Sequence, residues 1–303
     1  MHLNSQKKFE LAHKAGFINI LGNPNAGKST LINELVGERL AIITPKAQTT
    51  RHRMMGIVNG EDYQVVFSDL PGIVKPGYKL HEKMMSYIEL ALKDADVFLY
   101  IQDINDVSVK NVDIYAYLQQ TRVPVLILLN KIDEASQDYM EERMAFYQAE
   151  FEHAQVMPIS ALHKFNVKEV METIVKLLPE SDAYFPKDSL TDKPTRFFVT
   201  EIIREKIMKS YQKEIPYSVE IVIEDYEEGE DIDKIRANII VSRESQKAIV
   251  IGKGGIKLKH VGIDSRKDIE KFLEKKVYLE LYVKVDKNWR DDDRKLKKYG
   301  YNL

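Results

Sequence analysis

The segment Gly22-Asn23-Pro24-Asn25-Ala26-Gly27-Lys28-Ser29 fits G-x-x-x-x-G-K-S, the spacing of a phosphate-binding loop. Glycines there let backbone N–H groups curl around a β-phosphate, with Asn23, Asn25, Ala26 and Gly27 as expected contacts. Lys28 can reach the β- and γ-phosphates, the Ser29 hydroxyl can ligate magnesium, and Thr30 completes the run. The surroundings suit the motif. Residues 15–21 read as a buried strand, and residues 30–36 read as a helix whose N-terminus adds partial positive charge.

Three more motifs follow in the order a GTPase requires. Asp69-Leu70-Pro71-Gly72 comes directly after the apolar run 65–68. Asp69 can hold magnesium through water, and the Gly72 N–H can meet a γ-phosphate, which makes the next segment nucleotide-sensitive. By itself D-x-P-G is a common turn, so its weight comes from its place. Asn130-Lys131-Ile132-Asp133 follows the apolar run 125–129. An aspartate there can accept from guanine N1–H and the 2-amino group, a donor pair adenine lacks. Lys131 can lie along the base, and Asn130 can brace the loops. Ser160-Ala161-Leu162 follows the apolar run 156–159, which brings the Ala161 N–H towards guanine O6. Within Gln48-Thr49-Thr50-Arg51-His52-Arg53, a threonine hydroxyl can complete a magnesium shell when the γ-phosphate is present. Thr50 is the preferred candidate and Thr49 the alternative. Together the motifs predict a site for GTP or GDP with Mg2+, its metal shell formed by Ser29, Thr50 and Asp69.

Hydrolysis is expected to draw on Lys28, Asn25, Thr50 and Gly72. Many small GTPases place a water-orienting glutamine after D-x-x-G; here that residue is Ile73. Two substitutes stay open. Asn25 resembles the asparagine of potassium-activated GTPases, in which K+ supplies the missing charge, or a partner orders the loops. Slow intrinsic turnover is the expectation, since positioning and charge stabilisation supply nearly all of this catalysis.

The elements that must position these residues are legible as alternation. Strands are predicted at 17–21, 56–59, 64–68, 97–102, 125–129 and 156–159, and helices at 29–36, 79–93, 112–120, 139–151 and 167–178. That order predicts an α/β domain with a mostly parallel sheet covered on both faces, and with ligands at the carboxyl ends of the strands. A GTPase domain is predicted over 1–180, a linker over 181–195, and a smaller α+β domain with a charged tail over 196–303. The 303 residues suit about two domains. The chain has no cysteine, which excludes disulfides and thiolate metal sites and suits a reducing cytosol. No secretory signal or bilayer-length apolar run is apparent, so a cytoplasmic location is expected.

The second domain is predicted to hold a helix at 196–211 and strands at 217–224, 237–241 and 277–283. Residues 243–303 carry 17 Lys and Arg against 10 Asp and Glu, whereas the whole chain has net charge −2. A basic end on an acidic body suggests a polyanion partner. Within it, Ile251-Gly252-Lys253-Gly254-Gly255-Ile256 fits the G-x-x-G turn of a type II KH domain, which clamps about four single-stranded nucleotides. Lys253, Lys257 and Lys259 would supply charge, and Ile251 and Ile256 an apolar platform. Tyr278, Tyr282 and Trp289 read as packing residues, Asp291 to Asp293 as a helix start or solvated loop, and no histidines pair at zinc spacing.

The chain resembles the Era family of bacterial GTPases. The resemblance rests on N-P-N-A-G-K-S, Q-T-T-R-H-R, D-x-P-G, N-K-x-D and S-A followed by the KH hallmark. It extends through R-F-F-V-T-E-I-I-R-E-K at 196–206, P-Y-S-V at 216–219, G-I-D-S-R-K-D at 262–268 and L-Y-V-K-V at 281–285. It implies a ribosome-assembly factor that binds near the 3′ end of 16S rRNA through its KH domain. It further implies action in 30S subunit maturation as a monomer and a loose contact with the inner membrane. Leu70 stands where the family usually has threonine. Competing readings are a metabolic P-loop enzyme, disfavoured by Asp133, a static RNA-binding scaffold, and a membrane-remodelling GTPase, disfavoured by the lack of an amphipathic anchor.

Overall fold

In the computed structural model, residues 12–106 and 108–301 are described. The N-terminal unit runs β1 (Lys14–Leu21), α1 (Lys28–Val36), β2 (Met54–Asn59), β3 (Tyr63–Asp69), α2 (Lys79–Asp94), β4 (Val97–Asp103), α3 (Val112–Gln120), β5 (Val125–Asn130), α4 (Gln137–Glu150), β6 (Gln155–Pro158) and α5 (Val167–Leu177). The sheet order is β2-β3-β1-β4-β5-β6, with only β2 antiparallel to its neighbour. β4 and β5 are apolar almost throughout because helices cover both faces. Ile18, Phe67, Leu99 and Leu128 face one core, and Phe98, Tyr100, Ile127 and Leu129 face the other. The carboxyl ends of β1, β3 and β5 therefore open on one edge, where the phosphate loop, Asp69 and Asn130 lie.

The 181–195 segment is pinned along β2. The Ile57 N–H donates to the Leu190 carbonyl at 2.9 Å, and the Met55 N–H to the Asp192 carboxylate at 2.7 Å. Buried Gln64 binds the Tyr184 and Phe185 backbone.

The C-terminal unit runs α6 (Thr195–Ser210), α7 (Ile215–Ser218), β7 (Glu220–Glu227), β8 (Ile232–Val241), α8 (Glu244–Ile251), α9 (Ile256–Leu273), β9 (Lys276–Val285) and α10 (Asp293–Lys298). β7 pairs antiparallel and β9 parallel with β8. The predicted strand at 217–224 is corrected: Tyr217 and Ser218 belong to α7, where Pro216 suits a helix start. Tyr278 and Tyr282 are also corrected. They are 57% and 48% exposed, because alternation turns Val277 and Val283 inward and the tyrosines outward. Trp289 is fully buried and donates its indole N–H to the Ser218 carbonyl at 3.2 Å. Asp292 caps α10 by accepting from the Arg294 and Lys295 N–H groups. Trp289, Leu296 and Tyr301 pack into the core beside α2, so the chain's end bridges the two units.

Candidate nucleotide site and RNA-facing turn

A cleft of about 570 Å³ runs along the carboxyl edge of the large sheet, lined by Asn25, Gly27, Lys28, Ser29, Thr50 and Lys131 among others. Such a volume suits a nucleotide-sized ligand. At its floor the loop from β1 enters α1 through Gly27 at φ 104°. A Cβ at Gly27 would fall 2.1 Å from Asn130 Nδ2, so no other residue lets the loop lie this close to β5. Lys28 is buried and donates to the Gly22 and Asn23 carbonyls at 3.1 and 2.8 Å. Three oxygens meet beside it. Ser29 Oγ is 3.1 Å from both Thr50 Oγ1 and Asp69 Oδ2, and Thr50 Oγ1 is 3.2 Å from the same carboxylate oxygen. Hydroxyl and carboxylate oxygens at one point are the donor set a hard divalent cation needs. Thr49 also lines the cleft, but its hydroxyl is engaged with Thr44 Oγ1 and the Lys46 carbonyl, each at 2.6 Å.

Burial sets the charges here. It lowers the Lys28 ammonium to about 8, opposed by the nearby Asp69 charge. It raises the Asp69 carboxyl to about 6, opposed first by Lys28. Between those values both groups are ionised.

At the other end of the cleft, Asn130 joins two loops. Its Nδ2 donates to the Ala26 carbonyl at 2.8 Å, and its Oδ1 accepts from the Ala161 N–H at 2.9 Å. Asp133 accepts the Ser160 hydroxyl at 2.5 Å, which with lesser help from His163 and Lys131 holds its carboxyl below the usual range. Lys131 pairs with Asp103 at 2.5 Å, and Leu162 is exposed at the rim. Leu70 and Ile73 are buried in the core, while Gly72 lines the cleft, packed on Pro24. The departure at Leu70 is thus a packing residue, and Ile73 faces no water. Asn25, at φ 64°, donates to the Pro45 carbonyl at 3.1 Å.

In the C-terminal unit, α8 ends at Ile251 and α9 starts at Ile256. Between them Gly252-Lys253-Gly254-Gly255 makes a turn in which Gly254 takes φ 60° with open space around its α-carbon. Lys253, Ile256, Lys257 and Lys259 are exposed. A groove of about 430 Å³ follows along α9 and β9, lined by Leu258, Lys259, Arg266, Leu279 and Leu281 among others.

Residues 17–131 match the family described as 50S ribosome-binding GTPase, and residues 214–290 match the KH domain family. GTPase Era of Clostridium kluyveri is 44% identical over 291 residues, spanning 95% of this chain and 99% of that protein. This chain belongs to the Era family of GTPases. A crystal structure of Era in complex with MgGDPNP and nucleotides 1506–1542 of 16S ribosomal RNA matches with TM-score 0.92 at 36% identity, covering 96% of this chain and all of that one. An Aquifex aeolicus Era variant bound to GDP.AlF4- matches with TM-score 0.91 at 37% identity, covering 96% of this chain and all of that one.

Some residues of this Era-family architecture have partners that no motif reveals. Arg51, next to Thr50, is fully buried in the second unit. It donates to the Val219 carbonyl at 2.6 Å and the Pro216 carbonyl at 3.1 Å, and it approaches Glu220 at 3.4 Å. Glu220 also accepts the Tyr301 hydroxyl at 2.6 Å. His52 stacks on Tyr301 at 4.3 Å, and burial pushes its imidazole down to about 3, so it is neutral. Arg290 lies over the Tyr78 ring at 4.7 Å, at the start of α2.

Proposed function

We propose that this GTPase is a nucleotide switch that binds a single-stranded segment near the 3′ end of 16S rRNA and serves assembly and maturation of the 30S ribosomal subunit. One observation carries the reading: Thr50 stands with Ser29 and Asp69 at the cleft, while its neighbour Arg51 is locked into the RNA-facing unit. A loop that senses the γ-phosphate is thereby tied to the domain that would hold RNA. The likeness to an Era protein solved with both MgGDPNP and 16S rRNA supports the same reading.

In this account Lys28 and the amides of 23–29 hold the phosphates. Asp133, Lys131, Ser160, Ala161 and Leu162 hold guanine. Ser29 and Thr50 would ligate magnesium, with Asp69 acting through water. Magnesium would supply charge that neutralises the phosphate oxygens. Gly72 would offer its N–H to the γ-phosphate. The boundaries 1–180, 181–195 and 196–303 divide the chain into nucleotide unit, linker and RNA unit, and the chain acts as a monomer in the cytoplasm. A peripheral inner-membrane contact belongs to the same reading and would use surface side chains. Among the described residues, no helix is long and apolar enough to cross a bilayer.

Replacing sodium by potassium is expected to raise the hydrolysis rate, with Asn25 helping to hold the ion. Equal rates in both salts, read by phosphate release, would leave loop ordering by a partner as the source of the missing charge.

The RNA assignment is tested by changing Lys253→Asp and Gly254→Asp together. Both positions are exposed and Gly254 has free space; its φ of 60° strains any side chain, by about 1–2 kcal/mol and least for a short polar one such as aspartate, so the cost stays local to the turn. Two carboxylates then face the RNA backbone. Binding of a single-stranded 16S rRNA 3′ segment should be lost, while GTP hydrolysis without RNA stays near wild type. Wild-type affinity should fall steeply with salt as counterions are released, and duplex RNA of equal length should compete poorly because the groove needs splayed bases. Retained binding by the double variant would remove this turn as the RNA-binding site.

A further inference from the structure

We propose that Lys46 and Tyr211 form the connection through which the nucleotide-sensitive loop sets the RNA-clamping turn. This rests on the switch reading above and names the residues that would carry it.

Lys46 lies in the Thr50 loop and lines the nucleotide cleft. Its ammonium donates to the carbonyls of Met208 and Tyr211, at the C-terminal end of α6. Helix C-termini leave carbonyls without intrahelical partners, and a cation there satisfies them and the helix dipole. From the same residue, the buried Tyr211 hydroxyl donates to the Val250 carbonyl at 2.6 Å. α8 ends at Ile251, so that carbonyl also lies beyond helical pairing. Val250 is two residues before Gly252. On the far side of the turn, Lys257 Nζ lies 5.9 Å from the centre of the Tyr211 ring, from the first turn of α9. One side chain thus touches both helices that frame Gly252-Lys253-Gly254-Gly255, and its own carbonyl is held by the nucleotide loop.

The other contacts between the units lead elsewhere. Arg51 reaches α7 and β7, His52 reaches Tyr301, and Arg290 reaches α2. Arg39 pairs with Glu205 and lies near Asp268, on the middle of α6 and the later part of α9. These contacts join the units without touching the turn. When the loop around Thr50 rearranges, Lys46 moves relative to the end of α6. The Tyr211 hydroxyl then passes the change to the end of α8, where the first glycine of the turn follows.

The test uses the full chain and a fluorescent single-stranded RNA carrying the 16S rRNA 3′ end, titrated against GTP-analogue-bound and GDP-bound protein. Wild type should show affinities that differ between the states by about fivefold or more. Tyr211→Phe keeps the ring under Lys257 and removes only the hydroxyl. It should bring that ratio to within about twofold of one, with hydrolysis in the absence of RNA unchanged. Lys46→Met should shrink the ratio equally, Lys46→Arg should restore it, and the double change Lys46→Met with Tyr211→Phe should remove no more than either alone. By reciprocity, the effect of RNA on GTP-analogue affinity should shrink by the same factor in Tyr211→Phe. Equal affinities in wild type would overturn the switch reading and this connection with it. A wild-type difference fully retained in Tyr211→Phe would overturn the connection and leave the switch intact. If Tyr211→Phe loses RNA binding in both states, the Lys46 pair decides: a ratio retained in Lys46→Met overturns the connection, and its loss there with recovery in Lys46→Arg supports it.

Discussion

Lys28→Ala should abolish GTP turnover, with a fall of at least about 10²–10³-fold, the scale seen when one preorganised donor to developing charge is removed. The expectation rests on burial. Lys28 is held beneath the cleft by the Gly22 and Asn23 carbonyls, so its charge acts in a site with little water to screen it. A pH dependence accompanies the substitution. Burial lowers the Lys28 pKa in the free protein to about 8, so the ammonium is charged below that value and neutral above it. A bound triphosphate favours the charged form. Affinity for GTP should therefore be full between about pH 6, below which Asp69 is protonated, and about pH 8, and weaken as the pH rises through the upper value, with a proton taken up on binding there. Lys28→Ala should remove that dependence along with the affinity. Nucleotide titrations across pH, combined with phosphate release, check both parts. Turnover near wild type in the variant would show that another group holds the phosphates.

Asp133→Asn should weaken GTP binding by about 2–4 kcal/mol, the cost of losing a charge-assisted paired contact, or about 30- to 1,000-fold. The geometry says which way the new amide will face. Ser160 already donates to Asp133 Oδ1 at 2.5 Å, so an asparagine would keep its oxygen there and turn its NH2 towards the base. Guanine presents two donors at that edge and would meet a donor. Xanthine carries a carbonyl in place of the 2-amino group and would find a partner, so preference should shift towards xanthine nucleotides. Competition between GTP and XTP for the variant reads this directly. Binding of GTP as tight as wild type would remove Asp133 from the base pocket.

How far the sequence reaches can be followed residue by residue. α3 runs over Val112–Gln120 as its pattern predicts, and β5 extends the predicted run by one residue, because buried apolar runs and helical spacing report local demands. The convergence of Ser29, Thr50 and Asp69 follows from three separate motifs: Ser29 opens α1, Asp69 ends β3, and Thr50 lies in the loop before β2. Local signal is the same for the adjacent hydroxyls of Thr49 and Thr50, and it is the fold that puts Thr50, the preferred candidate, against Asp69. Tyr278 and Tyr282 were misplaced although the alternation Val277, Leu279, Leu281, Val283 already marked the covered face. Tyr217 and Val219 favour strands locally, so the predicted strand starts at 217, whereas the native turn over Ile215–Ser218 is held by the guanidinium of Arg51, 165 residues earlier than Pro216. Contacts at that separation, like those of Lys46 with Met208 and Tyr211, leave no trace in spacing or composition.

The central claim is that the nucleotide in the cleft governs how this chain holds RNA. Its most direct test is the wild-type titration of the single-stranded 16S rRNA 3′ segment against protein saturated with a non-hydrolysable GTP analogue and against protein saturated with GDP, at one fixed salt concentration. The account predicts two distinct affinities, separated by about fivefold or more. Superimposable curves would contradict it, leaving a GTPase and an RNA-binding unit that share a chain without sharing a state.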